Sequence, residues 1–132
     1  MATVKRFEDL EVWQLAKNLC KKIYEISTKG LFAKDFNSKN QINDAAGSAM
    51  DNIAEGFGRA GKYEFIQFLC ISNGSVCEVK SQLYRALDKE YITQQEFDEI
   101  YALADTLNNK LGSFINYLNK SETKGTKFKN RK

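Results

Sequence analysis

The 132-residue chain has no histidine and no proline. Without histidine it lacks the commonest general base near neutral pH and the commonest metal ligand. Average usage would place roughly six or seven prolines in a chain of this length. Proline breaks helix interiors and marks turns, so its absence favours long helices with few elaborate loops. Long apolar runs are missing as well. Nothing approaches the roughly 18 residues of a membrane span, and the charged opening has no apolar core of the kind a signal peptide needs. The expected location is the cytoplasm, with no membrane partner.

Cysteine is scarce: Cys20, Cys70 and Cys77 sit inside apolar helical patterns. Cys70 and Cys77 lie two helical turns apart, roughly 10 Å by helix rise, too far for a disulfide. They read as small buried hydrophobes in a reducing compartment. With no histidine and no cysteine pair at ligand spacing, no metal and no cofactor are expected.

What is present is ordinary for a soluble domain: 42% hydrophobic and 28% charged residues. One domain of this size buries roughly two thirds of its unfolded surface. The net charge of +3 is unevenly spread. Residues 119–132 hold six Lys/Arg and one Glu, a net +5, leaving −2 over residues 1–118. The body is slightly acidic and the basic character sits in the last stretch.

Apolar residues recur at helical spacing along most of the chain. A first helix, residues 10–29, is capped by Asp9 and carries a seam of Val12, Ala16, Leu19, Ile23 and Ile26. Lys29 and Gly30 match helix-end chemistry. Leu31, Phe32 and Phe36 are expected to fold over the bundle end. Asn37 or Ser38 caps a second helix, residues 38–57, rich in small side chains around Ala45, Ala46 and Ala49. Gly47 in its interior costs about 1 kcal/mol relative to alanine, which a close helix contact there would explain. The third helix, residues 62–89, repeats Phe65, Leu69, Ser72, Val76, Val79, Leu83 and Ala86. Midway, Asn73-Gly74-Ser75 reads either as a kink or as a tight crossing against the second helix. Thr93 and Glu96 fit a capping box, and a fourth helix carries Phe97, Ile100, Ala104, Leu107, Leu111, Phe114 and Leu118. No strand-like alternation of useful length occurs. The expected fold is all-α, an antiparallel up-down-up-down four-helix bundle over residues 1–118, followed by a basic, disordered tail over residues 119–132.

The second helix meets the third at Asn52-Ile53-Ala54-Glu55-Gly56-Phe57-Gly58-Arg59, where Gly56 or Gly58 could end a helix with positive φ. Asn52 and Glu55 share one helix face, off the apolar stripe. Asn52, Glu55, Arg59, Ser75 and Glu78 form a candidate polar clamp at this corner or at a subunit contact; a ligand site is the other reading. Glu55 and Glu78 could face each other between helices, but a dinuclear metal site in a bundle draws on Glu-x-x-His pairs. Ser48, Ser72 and Ser75 have no base to activate them. The chain does not read as an enzyme. The glycines before Lys62 follow no strand, which excludes a dinucleotide fingerprint, and a phosphate held by loop amides is a minor alternative. Lys120, Lys124, Lys127, Lys129, Arg131 and Lys132 are the candidate nucleic-acid contacts, binding RNA or DNA by counterion release; the bland alternative is a solvated tail.

Several stretches resemble the bacterial four-helix-bundle family named after proteins encoded in intervening sequences of 23S ribosomal RNA genes. They are Phe7-Glu8-Asp9-Leu10-Glu11-Val12-Trp13, Gln41-Ile42, Asn52-Ile53-Ala54-Glu55-Gly56, Glu64-Phe65, Phe68-Leu69, and Gly74-Ser75 with Glu78. The resemblance covers about residues 7–118. It implies a left-turning bundle that assembles into a ring-shaped homopentamer. It also implies a more distant similarity to the accessory protein of diversity-generating retroelements, a basic pentameric bundle that binds nucleic acid and the reverse transcriptase. The chain departs from the pattern at Asn43 and Asp44, where the family commonly has a basic pair, and at Phe32-Ala33, where it often has Phe-Pro. The implied function is a non-catalytic homo-oligomeric scaffold for RNA, DNA or a ribonucleoprotein partner. The alternative is a structural module that binds only protein.

Overall fold

The computed structural model describes residues 4–121. Among them are a 3-10 turn, Phe7–Asp9, and five helices: α1 (Glu11–Ser27), α2 (Gly30–Lys34), α3 (Phe36–Gly58), α4 (Lys62–Asp88) and α5 (Gln94–Lys120). No strand occurs among the described residues. Lys120 closes α5, whereas Lys124, Lys127, Lys129, Arg131 and Lys132 lie outside the described residues.

The four long helices form a closed ring of neighbours, α3 on α4, α4 on α5, α5 on α1 and α1 on α3. Cross-helix pairs give their directions. Ser48 meets Ser75 and Phe57 meets Phe65, so α4 runs back along α3. Phe65 meets Phe114 and Tyr84 meets Phe97, so α5 reverses again. Glu11 pairs with Lys110 and Lys29 with Glu96, which sets α1 antiparallel to α5. The result is an up-down-up-down bundle.

The seams explain the ring. Val12, Ala16, Leu19, Ile23 and Ile26 are all buried on α1. So are Phe65, Leu69, Val76, Val79, Leu83 and Ala86 on α4, and Phe97, Ile100, Ala104, Leu107, Leu111, Phe114 and Leu118 on α5. Each fully buried leucine contributes about 2 kcal/mol by area, so these three stripes, with Ile42, Ala45, Ala46, Ala49 and Ile53 of α3 as the fourth, drive the collapse. The capping box at the start of α5 is complete: Thr93 Oγ1 accepts from Glu96 N at 3.0 Å and Glu96 Oε1 from Thr93 N at 2.9 Å.

Other boundaries differ from the sequence expectation, each for a local reason. Asp9 belongs to the 3-10 turn and caps nothing; α1 starts at Glu11 behind an extended Leu10. At the other end, Thr28 turns its Oγ1 back onto the Tyr24 carbonyl at 2.8 Å and stops α1 at Ser27. Gly30, at φ +60°, supplies the left-handed step into α2. Asp35, not Asn37 or Ser38, caps α3, its Oδ1 accepting from Ser38 N at 3.1 Å. Of the three apolar residues expected over the bundle end, only Phe32 is buried; Leu31 and Phe36 are exposed.

The glycine expectations are corrected too. Neither Gly56 nor Gly58 takes positive φ; Ala60 does, at φ 71°. Gly56 instead marks the close contact of α3 with α4, since a Cβ there would stand 2.5 Å from Phe68 Cβ and 3.1 Å from the Phe65 ring. A Cβ on Gly47 would meet nothing within 4 Å, so no close contact explains that glycine. The Asn73–Ser75 stretch lies within an unbroken α4. There the crossing is made by serines: Ser72 Oγ donates to the Ala49 carbonyl at 2.8 Å, and the Ser48 and Ser75 hydroxyls are 2.9 Å apart. The cysteines are not core residues: Cys70 and Cys77 are exposed and Cys20 is half-buried, its thiol pushed up to about 11 by burial and by Asp51.

Candidate functional site

The polar residues singled out in the sequence fall into three separate arrangements. On the α3–α4 contact, Asn52 Nδ2 donates to the Ser48 carbonyl at 2.8 Å and to Ser48 Oγ at 3.1 Å. Ser48 in turn meets Ser75. Asn52 is thus joined to Ser75 through Ser48, a residue the sequence reading left out of the clamp. Its signal was available, because Ser48 precedes Asn52 by four residues and shares its face.

Glu55 of α3 and Arg59, the residue just past its end, form their own pair at 2.8 Å, with side chains 54% and 49% exposed. The Arg59 guanidinium also lies over the Phe68 ring, 5.2 Å from its centroid. A pair this open to water is screened and holds little energy. Glu78, on α4, accepts from Gln82 Nε2 at 2.9 Å. Glu55 and Glu78 are not brought together. Gly56 packs on Phe68, and Glu78 lies ten residues further along α4, about 15 Å by helix rise. Within one chain, the five residues therefore do not close into a single clamp at this corner.

The corner between α3 and α4 has a different design from the phosphate loop considered above. Lys62 is buried, and its Nζ donates to the Ser121 carbonyl at 2.6 Å, fifty-nine residues away. The ammonium also lies 5.1 Å from the Tyr63 ring centroid. Beside Gly61, the space a Cβ would take is filled by the Glu64 carboxylate at 2.8 Å. A cation turned inward and an acid at the first turn of α4 leave no anion cradle at this corner. What the corner does hold is the C-terminal end of α5, the point from which the basic segment continues.

The position of the missing basic pair is also occupied. Asn43 Nδ2 donates to Ser27 Oγ at 2.8 Å and to the Lys39 carbonyl at 2.8 Å, tying α3 to the end of α1, while Asp44 is exposed. A structural amide and a solvated carboxylate stand where two cations would project. Among the described residues no group of three or more His, Cys, Asp or Glu is placed to hold a metal ion. None of their helices is long and apolar enough to cross a membrane.

The family described as 23S rRNA-intervening sequence protein matches residues 8–113. Among solved structures, the chain is similar to a protein of unknown function from the S23 ribosomal protein family of Bacteroides thetaiotaomicron. The two share 24% identity with a TM-score of 0.72, over 79% of this chain and 97% of that one. At that identity the likeness speaks to the fold, a helical bundle of the same build. No curated protein matches.

Proposed function

The chain belongs to the 23S rRNA-intervening sequence protein family, and on that premise we propose that it is a non-catalytic cytoplasmic scaffold. In this reading it assembles with copies of itself, as a homopentamer, and holds RNA, DNA or a ribonucleoprotein partner through its basic C-terminal segment. The observation that carries the reading is the segregation of charge, net −2 over residues 1–118 against +5 over residues 119–132. The Lys62–Ser121 hydrogen bond supports it, because it sets the start of that segment at one defined end of the bundle. Copies arranged in a ring would present their basic segments together, and linked weak contacts gain effective concentration without any new chemistry.

The reading is tested by pairing a mass measurement in solution with binding to structured RNA and duplex DNA. A particle of five times 15.1 kDa that binds nucleic acid at low salt supports it. A particle of that mass that binds neither favours the second reading, a module that binds only protein. The observation behind the second reading is the acidic body, in which Asn43 is committed to structure and Asp44 faces solvent.

A further inference from the structure

Lys17 and Lys21 stand apart from the cations around them. Lys22 and Lys29 are held by Glu99 and Glu96, whereas neither Lys17 nor Lys21 enters an ion pair among the described residues. Both are exposed and lie one turn apart on α1. No acidic residue occurs between Glu11 and Glu25, so this stretch carries three lysines and no acid within a body of net −2. The acids at its edges are largely engaged: Glu8 lies 3.5 Å from Arg6, Glu11 3.5 Å from Lys110, and Glu25 acts on Lys29. From α3, Asp51 acts on the Cys20 thiol.

The two lysines lie between aromatic rings. Trp13, Lys17, Lys21 and Tyr24 follow at steps of four, four and three residues, so they share one face of α1. Tyr24 is 63% exposed. Trp13 is half-buried; its ring meets Phe7 at 5.1 Å between centroids, and Lys17 Nζ lies 5.9 Å from its centre. Beside it runs an open groove of about 460 Å³, lined by Glu8, Trp13, Gln14, Lys17, Asn18 and Lys21. Small-molecule sites occupy about 300–1,000 Å³, and Asn18 adds an exposed amide able to donate and to accept.

Aromatic rings set along a row of free cations suit a single nucleic-acid strand, whose bases stack on the rings while its phosphates meet the ammoniums. A duplex has its base faces already stacked and would use the lysines alone. An acidic peptide would likewise leave Tyr24 idle. We propose that this face of α1 binds single-stranded RNA or DNA. One base stacks on Tyr24, Lys17 and Lys21 meet phosphates, and a second base enters the groove beside Trp13. The proposal rests on the reading of the chain as a nucleic-acid scaffold and adds a second, weaker contact on its body.

Trp13 is the one tryptophan of the chain. Its emission therefore reports on this face, while the anisotropy of a labelled oligonucleotide reports total binding by the full chain. The probes are oligouridylate, oligothymidylate, a DNA duplex and poly-glutamate. The single strands should quench Trp13 emission saturably, and the duplex and poly-glutamate far less. Tyr24→Ala should weaken the binding seen at Trp13 about fivefold or more. Lys17→Gln and Lys21→Gln should each flatten its salt slope by about 0.7. All three side chains are exposed, so thermal unfolding should stay unchanged. Total binding without a change at Trp13, or quenching that survives all three substitutions, overturns this contact and leaves the scaffold reading standing. Equal quenching by the duplex or by poly-glutamate overturns it as well. A chain that binds no nucleic acid overturns both.

Discussion

The ammonium of Lys62, the first residue of α4, donates to the main-chain carbonyl of Ser121, one residue past the end of α5. A positive charge at a helix C-terminus is favourable, and this one also donates to a main-chain carbonyl just past the end of α5. Lys62→Met keeps the buried stem and removes the donor. The expected cost is about 2 kcal/mol, the range for hydrogen bonds to charged groups, concentrated at the end of α5. Amide hydrogen exchange over residues 115–121 should accelerate well beyond that at the bundle centre, and uniform acceleration would contradict the local role.

Two glycines of α3 should respond to alanine with opposite signs. Gly56→Ala drives a Cβ to 2.5 Å from Phe68 Cβ, a clash between rigid parts of two helices. Overpacking of that kind costs about 1–3 kcal/mol. Gly47→Ala meets nothing within 4 Å and sits in helical backbone. It should gain up to about 1 kcal/mol from helix propensity and a less free unfolded chain. Urea unfolding midpoints of the two variants decide the matter.

Asp35 makes stability fall in acid. Its hydrogen bonds from Ser38 N and from the Tyr91 hydroxyl lower its pKa from 3.8 to about 2. A carboxylate depressed in the folded state adds stability above its unfolded pKa, near 3.9, and loses it as pH falls through the folded value. The contribution should therefore be full at pH 5 and fade between roughly pH 4 and pH 2. Asp35→Asn keeps an oxygen for Ser38 N but does not titrate. Its unfolding midpoint should fall less than that of the unaltered protein across the same window.

Glu55 and Glu78 should act independently. Glu55 is engaged with Arg59 and Glu78 with Gln82, about two to three helical turns apart along the α3–α4 contact. A double-mutant cycle with Glu55→Gln and Glu78→Gln should give a coupling within about 0.5 kcal/mol of zero. A larger coupling would restore the paired-carboxylate reading.

The seams on α1, α4 and α5 were legible because each repeats a three- and four-residue step over several turns, which leaves one face to bury. The capping box at Thr93 was legible because both of its bonds lie within four residues. The cap of α3 was not, since Asp35, Asn37 and Ser38 are all competent acceptors and only the incoming path from α2 selects one. The role of Gly56 was hidden for a related reason. Whether a missing Cβ matters depends on how Phe68 is phased on the opposite helix, and a single helix carries no record of that. The link from Asn52 to Ser75 runs through the Ser48 hydroxyl, and only the packing of α4 on α3 brings that hydroxyl to Ser75. Cys70 and Cys77 lie close to apolar positions in sequence yet just off the buried stripe, so composition placed them inside and geometry placed them outside. Lys62 and Ser121 are fifty-nine residues apart, and nothing local in either foretells the other.

The measurement that bears most directly on the scaffold reading is the salt dependence of nucleic-acid binding by the full chain and by a chain ending at Ser121. The shorter chain keeps the Lys62 contact and removes five of the six basic residues at 120, 124, 127, 129, 131 and 132. If those six contact phosphates of duplex DNA, log Kobs against log salt for the full chain should slope by about −5. The shorter chain should bind at least tenfold more weakly, with a much shallower slope. Equal binding and equal slopes would contradict the account, because they would move the contact from the basic segment to the acidic body.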